Sequence, residues 1–109
     1  MNPWIPLTSE SQLEELSEHS NLSPVAIFKH STRCSISTVV KNRIEQNWNE
    51  ANNAPIYLID LLKYRNLSNL ISEKFSVEHE SPQLLIIEGG ICNSHASHTA
   101  ISTEMLIKI

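Results

Sequence analysis

The chain has 109 residues, 40% of them hydrophobic and 18% charged, which suits one domain spanning residues 1–109 and excludes both disorder by composition and a two-domain architecture. Its net charge of −4, with the eight basic residues scattered, argues against nucleic acid or anionic membrane as partner. No apolar run approaches the ~20 residues of a membrane span, and Met1-Asn2-Pro3-Trp4-Ile5-Pro6 lacks the basic start and long apolar stretch of a signal peptide, so a cytoplasmic location is expected.

Ser9 opens the first predicted helix, with Gln12 three residues on in a capping-box pattern and Leu13 and Leu16 as a thin apolar stripe. Ser23-Pro24 breaks it. Val25-Ala26-Ile27-Phe28 reads as a strand buried on both faces. After the polar stretch from His30 to Ser35, Ile36, Val39, Val40, Arg43, Ile44 and Trp48 recur at helical spacing until Asn52-Asn53-Ala54-Pro55 stops the pattern. Ile56 to Leu62 is a second buried strand. Leu67, Leu70, Ile71 and Phe75 mark a further helix, with Asn66 as its expected cap. Gln83 to Ile87 and the segment from Ile91 flank the chain's only two glycines, Gly89-Gly90, a hairpin signal. Ser102 is expected to cap a short last helix with Met105, Leu106 and Ile109 facing inward.

The expected order is α-β-α-β-α-β-β-α. A strand–helix–strand unit with a connection of about 25 residues implies a parallel pair with a right-handed crossover. Adding the hairpin gives a four-stranded mixed sheet with helices on both faces, an α/β fold of thioredoxin-like architecture.

In that frame Cys34 stands where the first buried strand hands over to the long helix. A helix N-terminus carries unpaired N–H groups and about half a positive charge, which favours a thiolate. Arg33 adds charge, and Lys29 and His30 are expected to add more. The thiolate is the nucleophile of thiol–disulfide exchange. The competing reading is an inert core thiol, against which the polar flank from Ser31 to Ser35 argues. Cys34-Ser35-Ile36-Ser37 has the spacing of a C-x-x-C redox motif with serine in the second place. With no resolving sulfur at Ser37, a mixed disulfide at Cys34 persists until another thiol attacks it. The alternative is that Ser37 is only a polar residue of the first turn, with its hydroxyl near the sulfur. Ser81-Pro82 opens the third strand beside the helix carrying the cysteine. A cis bond there leaves the Ser81 backbone to pair with an extended substrate; a trans proline at a strand start is the alternative.

The block Phe28-Lys29-His30-Ser31-Thr32-Arg33-Cys34-Ser35-Ile36-Ser37 resembles the signature of the YtxJ family, the monothiol bacilliredoxins. Tyr64–Asn69, Val77–Gln83, Ser97-His98, Ile101, Trp4 and the Ser9–Leu16 helix extend the similarity over almost the whole chain. Some family members carry proline where this chain has Ser35. The resemblance implies a thioredoxin-like fold and removal of bacillithiol from mixed disulfides on cytosolic proteins by Cys34. Bacillithiol is then a co-substrate rather than a bound cofactor, and free bacillithiol or a dithiol reductase resets a monomeric protein. In this reading Arg33 and the first-turn N–H groups of Ser35, Ile36 and Ser37 stabilise the thiolate. Thr32 shapes the loop, Ser81 and Pro82 receive the substrate backbone, and His98 lines the far wall.

Cys92 lies just past the Gly89-Gly90 turn, far along the strand from Cys34, so a disulfide between them is not expected. Cys92, His95 and His98 are spaced by threes. Strand alternation is expected to send His95 to the opposite face from the other two, which leaves no metal set. Asp60 is left outside the catalytic set, and Trp4 and Trp48 are expected to pack in the core. Three rival functions remain at this level: exchange with glutathione or coenzyme A, a non-catalytic interaction module, and a Cys/His metal protein.

Overall fold

The computed structural model describes residues 2–107. Five strands form one mixed sheet: β1 (Trp4–Pro6), β2 (Val25–His30), β3 (Ile56–Asp60), β4 (Gln83–Glu88) and β5 (Ile91–Ser97). Their spatial order is β1-β3-β2-β4-β5. β1 and β2 each run parallel to β3, whereas β4 is antiparallel to both β2 and β5. Three helices cover the sheet: α1 (Glu10–His19), α2 (Ser35–Asn47) and α3 (Arg65–Phe75).

The thioredoxin-like α/β architecture is present, but the sheet has five strands where four were expected. The added strand is only three residues long and ends at Pro6. A proline lacks the N–H a ladder needs, and is tolerated because β1 is an edge. So short a segment carries no alternation to read. The expected last helix is a single 3₁₀ turn, Thr103–Leu106, capped by Ser102 as expected (Oγ to Glu104 N–H, 3.2 Å). Ile109 lies outside the described residues.

Local signals explain most boundaries. Ser9 Oγ accepts the Gln12 N–H and starts α1. The Gln12 side chain turns back to the Thr8 N–H (2.8 Å), one residue short of the expected partner. α3 begins one residue before the expected Asn66 cap, with Tyr64 as its N-cap. Gly89 and Gly90 both take positive φ, as the tight hairpin requires.

Apolar side chains split into two clusters, one per face. Val25, Ile27, Ile59, Leu85 and Ile87 meet α1 and α3 through Leu13, Leu16, Leu67, Ile71 and Phe75. Ala26, Phe28, Ile56, Leu84 and Ile86 meet α2 through Val40 and Ile44, closed by Trp4, Ile101 and Leu106. The alternation along β2 therefore assigns Lys29 to the α3 face and His30 to the α2 face. Both are buried, because β2 is the central strand and continues two residues past its apolar run. Among the described residues no helix is long and apolar enough to cross a membrane.

Candidate functional site: a thiol at a helix N-cap

Cys34 is the N-cap residue of α2, with extended backbone (φ −105°, ψ 115°) and no hydrogen bond from its side chain to the first turn. Its N–H donates to Ser31 O (3.1 Å), and its carbonyl accepts from Thr38 N–H (3.2 Å). The first turn holds no acidic residue. The sulfur is half-buried and reduced. The first-turn N–H groups of Ser35, Ile36 and Ser37 lie at the positive end of a 13-residue helix. Thr32 and Arg33 are exposed on the loop before it; the Arg33 N–H donates to Ser31 Oγ (3.4 Å).

Ser37 is fully buried, and its hydroxyl is committed to the loop rather than the sulfur. Oγ accepts the Ser31 N–H (3.2 Å) and is hydrogen-bonded to His30 Nδ1 (2.6 Å). It occupies the place of a resolving cysteine and braces the turn that presents Cys34. His30 also departs from expectation. Burial lowers its pKa, Lys41 adds to the effect, and Asp60 and Glu45 only partly oppose it. The ring is therefore neutral near pH 7 and supplies no positive charge to the site.

Lys29 does not face Cys34 either. Its ammonium lies under α3, bonded to Ser72 Oγ (2.9 Å), Ser68 O (3.2 Å) and His79 Nδ1 (3.3 Å). Ile36 and Val39, read as part of the buried stripe, are 42% and 56% exposed; α2 buries Ser37, Val40 and Ile44 instead. The helix is rotated so that Ile36 and Val39 face solvent. Leu62, on the turn after β3, is also exposed, and the Leu61 N–H beside it bonds His30 O (2.9 Å).

The structure brings Ser81, Pro82 and His98 to the same end of the sheet. The register pairs Lys29 with Gln83, so Pro82 follows alongside His30, at the end of the sheet where β2 hands over to Cys34. The Ser81–Pro82 bond is cis. Ser81 Oγ is buried and has no hydrogen-bond partner among the described residues. Pro82 O accepts the His98 N–H (2.9 Å), and the half-exposed His98 ring lies 3.9 Å from Glu80.

Cys92 is elsewhere. It pairs with Ile87, which pairs with Val25 at the opposite end of β2, roughly 16 Å from His30 at ~3.3 Å per residue. Burial raises its pKa, and its thiol donates to Ser94 O (3.2 Å). The expected facing of the histidines is wrong in one respect. A register shift between Ile86 and Ile87 breaks the alternation of β5, so Cys92 and His95 share a face. Among the described residues no three His, Cys, Asp or Glu side chains converge as metal ligands. Asp60 closes the turn after β3, its Oδ1 accepting the Leu62 N–H (3.0 Å).

Residues 5–106 match the family model described as monothiol bacilliredoxin BrxC. The chain belongs to the monothiol bacilliredoxin family. It is also similar to a solved structure described as a candidate oxidoreductase with a thioredoxin fold, with 29% identity, TM-score 0.81, and 93% of this chain and 88% of that one covered. The Malassezia sympodialis thioredoxin (11% identity, TM-score 0.71, 92% and 81% covered) and the Fasciola hepatica thioredoxin (17%, 0.70, 92% and 90%) share the fold. A bacilliredoxin with this site is a thioredoxin-like redox protein. Sequence reasoning missed the His30–Ser37 and Lys29–His79 contacts. Their only signal was two polar residues closing an apolar strand.

Proposed function

We propose that this bacilliredoxin is a monothiol oxidoreductase that removes bacillithiol from mixed disulfides on cytoplasmic proteins. One observation carries the reading: Cys34 caps α2, the position three residues on is a buried, hydrogen-bonded serine, and the other cysteine is at the far end of the sheet. The chain has a nucleophile and no internal resolving thiol.

The Cys34 thiolate attacks the bacillithiol sulfur of the client disulfide. The new bond is Cys34 Sγ–S; the bond that breaks joins bacillithiol to the client, which leaves as a thiolate and takes a proton from solvent. A second thiolate, from free bacillithiol or a dithiol reductase, then attacks the bacillithiol sulfur held on Cys34. Cys34 returns as thiolate, and the attacking thiol supplies the two electrons. Arg33 and the N–H groups of Ser35, Ile36 and Ser37 stabilise the negative sulfur before attack and after release. Thr32 and the exposed Ile36 and Val39 form the ground on which the client cysteine lands. Ser81 and Pro82 receive the client backbone on one side, and His98 bounds the other.

The test is intact mass after mixing reduced protein with a bacillithiolated client. Wild type and Cys92→Ser gain one bacillithiol and free the client; Cys34→Ser does neither. A Cys34 that stays unmodified overturns the proposal. Transfer from a glutathionylated or coenzyme A-modified client at equal rate overturns its bacillithiol preference.

A further inference from the structure

Lys29 is fully buried, yet among the described residues no carboxylate pairs with it. Its three ammonium protons are matched by three acceptors, of which one, His79 Nδ1, belongs to the segment between α3 and β4. Gln83 is its register partner on β4 and is also fully buried. Gln83 Nε2 reaches the same segment and donates to Glu78 O (2.9 Å). Two adjacent buried polar side chains on one rung of the sheet thus hold consecutive residues, Glu78 and His79, of the loop that ends at Ser81-Pro82. Desolvating an ammonium is costly, and neutral hydrophobic residues of like volume replace such groups with little loss or a gain. Nothing in core packing calls for a lysine here; the loop does.

We propose that Lys29, with Gln83, is a positioning residue that pins the 77–82 loop and so fixes the Ser81 backbone against which the substrate chain docks. The inference deepens the function proposed above and rests on it for the docking role alone. Lys29 acts through His79, itself exposed and otherwise faced by the Ser68 hydroxyl (3.4 Å from Nδ1), Arg65 and Glu80, and not through the thiol. Removing the pin therefore separates docking from sulfur chemistry.

The experiment is hydrogen–deuterium exchange over residues 77–82 together with steady-state reduction of a bacillithiolated protein, for wild type and Lys29→Met. Loop amides are expected to exchange at least tenfold faster in Lys29→Met. KM is expected to rise severalfold with kcat within twofold, while alkylation of Cys34 by iodoacetamide, which needs no docking, stays within twofold. Unchanged loop exchange overturns the inference, as does faster exchange with unchanged KM. If Lys29→Met does not fold, His79→Ala cuts the same contact from the exposed side and is held to the same outcomes. If wild type reduces no substrate, the function proposed above fails, and loop exchange alone decides whether Lys29 is the pin.

Discussion

Lys29 and His30 are neighbours on one strand, both buried, both polar, and turned to opposite faces of the sheet. His30 bonds Ser37 on the α2 side and stiffens the loop that presents the nucleophile. Lys29 bonds His79 on the α3 side and holds the loop that ends at the cis-proline. The difference lies in how each is accommodated. His30 gives up its charge and sits as a neutral ring in a short hydrogen bond. Lys29 has its pKa lowered by burial to about 8 and still carries a proton at neutral pH. The central strand thereby commits its last two residues to opposite edges of the site, one at little cost in stability and the other against it.

The comparison breaks most sharply at Ser37. Ser37→Ala leaves the Ser31 N–H and His30 Nδ1 without their shared partner, and buried unpaired groups cost about 1–3 kcal/mol each. A loss of roughly 2–4 kcal/mol in urea unfolding is expected on that basis; a loss well below 1 kcal/mol means water has replaced the bonds.

Lys29→Met is expected to move stability the other way at pH 7, by on the order of 2 kcal/mol. The folded pKa is below that of a free lysine, so between about pH 8 and 10.5 the unfolded chain binds more protons and wild-type folding grows more favourable as pH rises. The advantage of Lys29→Met should therefore shrink across that window when unfolding midpoints are compared at each pH. A constant difference would show that the ammonium is not the destabilising group.

The smallest effect is at His30. Its folded pKa is lowered, so the unfolded ring binds its proton first as pH falls through 6.5, and stability declines there. His30→Gln keeps a hydrogen-bonding side chain and should lose that decline, so the wild-type-minus-mutant difference in stability should fall between pH 7 and 5.

Much of the architecture is readable from the chain because its signals are local. Val25 to Phe28 and Ile56 onward declare buried strands, the paired glycines declare a hairpin, and Ser9 and Ser102 each cap a helical turn. Cys34 was legible for the same reason, as a cysteine at a strand-to-helix junction with serine three residues on. The features that escaped depend on contacts distant in sequence. β1 is a strand only because β3 offers an edge. Ile36 and Val39 fit the helical spacing, but α2 buries Ser37, bonded to His30, together with Val40 and Ile44, and that face leaves those two outward. Lys29 finds Ser68, Ser72 and His79 roughly 40 to 50 positions away, beyond the reach of any window of periodicity.

The ring of Trp4 packs tilted against Phe28 with centroids 5.4 Å apart, and Phe28 stacks on His30 at 6.0 Å. The indole N–H is held by Glu45 of α2. The short edge strand thus carries an intrinsic fluorophore at one end of a three-ring column whose other end braces the thiol loop, and in a Trp48→Phe background its emission is expected to follow that loop without a label.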